Sequence, residues 1–165
     1  MARTAPNARP SPHLAPAAAT STHGLAEEGY RLAVCLLDDE RAAATLLLRV
    51  VVTLRPRRLR RPSPAVRAVV LRRLIAGARA TRVGGAPRSA RGAVFPELQA
   101  LPVAEREVLA LVVACDLDVG DAARVLRTDP ARVLALRRTA ARRVAAFARA
   151  DAGGGATAAR LDRPA

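Results

Sequence analysis

Residues 101–147, LPVAEREVLALVVACDLDVGDAARVLRTDPARVLALRRTAARRVAAF, decide the fold. They read as three helices separated by two short turns. The first, from about Val103 to Ala114, places Val108, Leu109, Leu111 and Val112 close to the helical period. The break Cys115-Asp116-Leu117-Asp118 is short and polar, and a second helix runs from about Val119 to Leu126. Next comes Arg127-Thr128-Asp129-Pro130. Asp129 can accept a hydrogen bond from the free N–H groups of the following turn, and Pro130 suits the first helical position, where a missing N–H costs nothing. A third helix starts there and extends to about Ala150.

A helix, a tight turn and a long basic helix form the helix-turn-helix plan, in which the last helix enters the major groove of DNA. Winding the third helix at 100° per residue places Val133, Leu136, Ala140, Val144 and Phe147 on one face. Ala131, Leu134, Ala135, Arg138, Arg142 and Arg149 fall on the other, with Arg132 and Arg143 flanking. One face is therefore core, and the opposite face is small and cationic. Alanines let the backbone come near a groove, and guanidinium groups reach phosphates or guanine edges. The expected DNA-binding residues are Arg127, Ala131, Arg132, Leu134, Ala135, Arg138 and Arg142. An ordinary helical bundle with a solvated basic face is the alternative; the turn spacing and the Asp129 cap count against it.

From Leu101 to Val144 the stretch resembles, without gaps, region 4 of the sigma-70 family of RNA polymerase initiation factors, in the short extracytoplasmic-function type. Leu101-Pro102 opens it as in that family. Arg106-Glu107-Val108-Leu109 and Leu111 follow in register. Leu117, Ala123, Val125, Leu126 and Val133 fall on apolar positions, and Arg142-Arg143 in the basic tail. Regulators of the LuxR type share a similar core, but the Leu-Pro opening and the arginine-rich end favour the sigma type. Two departures stand out. Arg127 replaces the usual glycine and must take the turn conformation without glycine's freedom. Leu134 and Leu136 stand where the family often has basic residues.

The resemblance implies promoter-directed transcription initiation. Its partners are double-stranded DNA with a −35-type element, core RNA polymerase and an anti-sigma factor. Two other readings compete: a helix-turn-helix regulator without promoter melting, and a basic helical protein that binds an acidic partner.

Composition narrows the alternatives. All 28 basic residues are arginine, the net charge is +14, and aromatics are 2% of the 165 residues. Such a charge calls for an acidic partner, nucleic acid first. Arginine, alanine and glycine have GC-rich codons, so a GC-rich genome is a second source of such a bias, beside function. The two histidines, His13 and His23, lie in an N-terminal tail, and no serine or cysteine stands beside a plausible base, so no catalytic machinery is visible. Gly84-Gly85 follows a helix and lacks the lysine of a phosphate loop. Cys35 and Cys115 are lone, with neither disulfide framework nor metal spacing, and read as small core residues in a reducing cytoplasm. No cofactor is implied, and no stretch approaches the 18 apolar residues of a membrane span.

The rest of the chain reads as a second helical unit. Residues 1–24 are rich in Ala, Pro, Ser and Thr and are expected to be disordered. Residues 25–37 form a helix with Glu27 and Glu28 in its first turn, where they suit the helix dipole. Asp38-Asp39 ends it and can cap the next helix, residues 40–55. That helix is apolar on nearly every side, so it should be buried or paired. Its run Val50 to Thr53 leaves a strand open. Residues 55–64 are a basic linker, Ser63 and Pro64 start a helix to about Arg79, residues 80–96 are a flexible linker, and residues from 151 on are a disordered tail. Residues 41–96 hold fourteen arginines and no acidic residue.

This unit, residues 25–79, resembles sigma region 2 through Tyr30-Arg31-Leu32-Ala33 and Leu36-Leu37-Asp38-Asp39, with Ala43 and Leu46 in register. It departs at Ala44, Thr45, Leu48 and Arg49, where the family is acidic and binds polymerase. It departs again at Ala65, Val66, Val69 and Val70, where the family places melting aromatics. The expected whole is all-α: a region-2-like three-helix domain and a region-4-like domain at residues 97–150, joined by a basic linker, with disordered termini.

Overall fold

The computed structural model describes residues 21–54, 63–83 and 95–161, with side chains described as far as residue 150 except that of Val83. The protein is all-helical. Seven helices lie among the described residues: α1 (Thr22–Leu37), α2 (Glu40–Val52), α3 (Pro64–Val83), α4 (Pro96–Gln99), α5 (Val103–Ala114), α6 (Val119–Leu126) and α7 (Pro130–Leu161). The run Val50 to Thr53 is helical up to its cap, which removes the strand alternative.

Short polar residues set most helix ends. Ser21 caps α1 by accepting from the Gly24 N–H at 3.0 Å, so the helix starts three residues before the expected Leu25. Glu27 and Glu28 consequently lie beyond its first turn. Asp38 closes α1 in the left-handed conformation, φ 55°, and Asp39 starts α2 by accepting from the Ala42 N–H at 2.9 Å. α3 runs past the expected Arg79 to Val83, into the supposed linker, and the one-turn α4 begins at that linker's last residue, Pro96. α7 continues to Leu161, beyond the expected end near Ala150. Alanine is the best helix former, and extending an existing helix is far easier than nucleating one. The expected tail at residues 1–20, the linker segments 55–62 and 84–94, and residues 162–165 lie outside the described residues.

α1, α2 and α3 form one three-helix unit, and α4 to α7 form the other. They were expected as two domains on a flexible tether. The two units pack on each other, α1 against α5 and α3 against α6. A single aliphatic core runs from Leu25 through Leu32, Leu71 and Leu74 to Leu111, Val125 and Val133. The reason is chemical: small apolar side chains let helices approach closely, and neither unit alone covers its apolar faces. Within the first unit Gly77 of α3 lies close against α2, where an added Cβ would collide with the Leu46 side chain.

Arginines fasten the two units, so the acid-free segment is not simply a solvated or anion-binding surface. Arg67 on α3 holds Glu28 of α1, with Nε 2.9 Å from Oε1, and donates through Nη2 to the Cys115 carbonyl at 2.7 Å. Arg79 holds Glu107 through a two-pronged pair at 2.6 and 2.5 Å. Arg82 donates to the Leu36 carbonyl and, at 2.9 Å, to Gln99. Arg72 reaches the carbonyls of Val125 and Arg124, and Arg73 bonds Thr53. Every arginine of α3 thus has an internal partner. Glu28, 4% exposed, is a docking carboxylate and not a helix-dipole residue. Its hydrogen bond to Arg67 holds that guanidinium above its ordinary value; Glu107 does the same for Arg79.

Candidate nucleic-acid interface

α6, the turn after it and α7 are built locally. Asp118 caps α6 by accepting from the Asp121 N–H at 2.7 Å. Arg127 closes it in the left-handed region, φ 54°, as the missing glycine requires, and its N–H reaches the Ala123 carbonyl. Asp129 then caps α7, accepting from the Ala131 N–H at 2.6 Å. Replacing Arg127 with glycine is expected to stabilise the fold by about 0.5–1 kcal/mol, because glycine enters this conformation without the Cβ clash. Urea denaturation checks it, and a lower midpoint would mean that the arginine side chain itself holds the turn.

α7 divides as its winding implies. Val133 and Ala140 are fully buried, and Leu136 packs on the core. On the other side Ala131, Ala135, Arg138 and Arg142 are exposed, as are Arg127 at the turn and Arg132 on the flank. Leu134 is half-buried, so of the seven expected DNA-facing residues it alone is partly withdrawn from the surface. Its position is at the edge of the core face. Phe147 was expected on the core face but is 39% exposed, because α7 has by then run past the end of the core. The N-terminal unit packs on α5 and α6 and leaves the alanine and arginine face of α7 in solvent.

Several residues that hold this interface had no visible local signal. Arg106, 6% exposed, donates to the carbonyls of Leu98, Gln99 and Leu101 at 2.7, 2.7 and 2.8 Å. It ties down the carbonyls of the turn between α4 and α5, which explains a buried arginine just after Leu101-Pro102. Arg72 does the same for the end of α6, from 53 residues away in sequence. Glu105 is buried in the first turn of α5. Its Oε2 lies 3.2 Å from Nε of Arg143, a contact without hydrogen-bond alignment. Arg143 is therefore turned toward α5 rather than toward the exposed face. Cys115 is buried, and burial pushes its thiol well up, so it stays protonated at neutral pH, as its reading as a core residue requires.

The face can do electrostatic and groove-reading work: a rigid capped helix presents guanidinium groups on an alanine floor. No helix among the described residues is long and apolar enough to cross a membrane. Comparison of the chain with protein-family models, curated proteins and solved structures finds no match.

Proposed function

We propose that the chain binds double-stranded DNA through α6, the turn at Arg127 and α7, and that it acts in transcription as a divergent sigma-70-like factor with core RNA polymerase. The observation that carries the DNA part is the polarity of α7. Val133 and Ala140 are buried while Ala131, Ala135, Arg138 and Arg142 stand exposed on the opposite side. The resemblance from Leu101 to Val144 supports the promoter and polymerase part.

Arg138 and Arg142 lie one turn apart on the groove face. Replacing Arg138 with alanine is expected to cost about 1–3 kcal/mol of binding at one base pair if it pairs with a guanine edge. The cost is smaller, and equal on all sequences, if it touches phosphate. Titrating the single and double alanine variants against a selected duplex and a random one separates these. Undiminished binding by the double variant would assign DNA contact to another surface, or to none.

One observation favours the regulator reading for the second step of initiation. Holding melted bases needs flat π surfaces. In α3 the corresponding positions are Val66 and Val69, half-buried against the core, and Val70, which is fully buried. Tyr30 is half-buried in α1, and Phe95 lies before α4 with its N–H bonded to Asp38. Closed-duplex binding is therefore expected to exceed open-complex formation. Permanganate footprinting with core polymerase reads this; strong thymine reactivity near −10 without another factor would establish a fully competent sigma factor.

A further inference from the structure

The solvent face of α7 carries only two kinds of chemistry. From Ala131 to Arg142 the exposed side chains are Ala131, Arg132, Ala135, Arg138, Ala141 and Arg142, with Leu134 half-buried at their edge. Each ends in a methyl group or a guanidinium. From Arg127 to Ala150 the sequence has no asparagine, glutamine, serine or glutamate. The polar groups that remain are turned back on the helix. Asp129 accepts from the Ala131 N–H at 2.6 Å, and the Thr139 hydroxyl donates to the Ala135 carbonyl at 3.1 Å.

Base edges in the major groove are read by matching chemistry. The amides of Asn and Gln read adenine, a carboxylate reads cytosine, a guanidinium reads guanine, and an apolar side chain meets the 5-methyl of thymine. On this face adenine has no amide reader, and the one carboxylate is committed to its cap. Guanine and thymine keep theirs. The alanines stand in the first two turns, the part of a recognition helix that meets base edges. Ala131 and Ala135 are one turn apart on one line, about 6 Å along the axis, against about 3.4 Å for a base-pair step. Their methyl groups therefore span one or two steps of the duplex.

We infer that α7 reads thymine 5-methyl groups. Ala131 and Ala135 pack on the methyls of one or two thymines, and the half-buried Leu134 borders the contact. An adenine is then recognised only through the thymine paired with it. The inference rests on the DNA reading above and names the feature that the target carries.

The test starts from a duplex selected out of a random pool on the full-length protein. Each thymine in it is replaced in turn by uracil, which removes the methyl alone, by cytosine, and by 5-methylcytosine. Uracil is expected to weaken binding about fourfold at one or two neighbouring positions. At those positions 5-methylcytosine should bind better than cytosine, since it returns the methyl. Ala131→Gly or Ala135→Gly should abolish the uracil penalty at one position each. Ala141→Gly weakens the helix by the same glycine effect and should keep both penalties. Binding of the selected duplex with uracil tolerated at every position would overturn the inference and leave the DNA reading standing. A penalty that survives in both glycine variants would also overturn it, giving the methyl effect to duplex shape or to another helix. A parent that binds no duplex would overturn the DNA reading and this inference with it.

Discussion

Raising salt from about 50 to 200 mM is expected to weaken binding to a random duplex about 500-fold. Each phosphate neutralised contributes about 0.9 to the slope of log affinity against log salt. Five exposed arginines are available along the turn and α7: Arg127, Arg132, Arg138, Arg142 and Arg149. A slope near −4.5 over a fourfold change in salt gives that factor. The arginines of α3 are engaged with Glu28, Glu107 and backbone carbonyls, so they should add little. A slope near twice this value would show that α3 lets go of those partners to meet DNA. A flat response would remove the nucleic-acid reading altogether, whatever the net charge of +14 suggests.

The second large effect is structural. Arg67→Ala is expected to destabilise the protein by about 3–5 kcal/mol, the usual cost of leaving one member of a buried ion pair alone. Glu28 is 4% exposed, and Arg67 is its partner at 2.6 Å. The same guanidinium satisfies the Cys115 carbonyl, so truncation strands two buried acceptors. Replacing both members, Glu28→Leu with Arg67→Met, should cost clearly less than Arg67→Ala alone, since no charge is then left unpaired. Urea denaturation of the three proteins measures both terms. A single-variant cost below about 1 kcal/mol would place Glu28 in contact with water and the pair among ordinary surface bridges.

What was legible in the sequence followed the range of the interaction. α5 and α6 lie where their pattern placed them, and α7 starts at Pro130. Their signals act within four residues: Asp118 on Asp121, Asp129 on Ala131, Arg127 on Ala123. The exposed alanine and arginine face of α7 was legible for the same reason, since helical winding is local geometry. Phe147 was misplaced because winding fixes a direction but not whether anything still lies there. Glu28 suited a helix dipole by position, while its real partner sits 39 residues away. The packing of the two units on each other was not legible either, because the docking of α3 on α6 has no sequence period and arginines in an acid-free run look solvent-bound until their acceptors are found. α2, expected to be buried or paired, is buried on one side only, and Leu48 and Val52 are exposed.

The seam between the two units also sets an order of events during synthesis. The carbonyl of Cys35, on the side of α1 that meets the second unit, accepts from Gln99, 64 residues further along the chain. At about 5–20 residues per second, a ribosome takes roughly 3–13 s to make that distance. For that interval the side of α1 that meets the second unit stays uncovered, although α2 and α3 can already pack on its other sides, whereas α6 and α7 emerge together and can close on each other at once. The nascent protein therefore has its longest exposure at its beginning. A chaperone that recognises apolar segments has its best opportunity at that side of α1, before the second helical unit has been made.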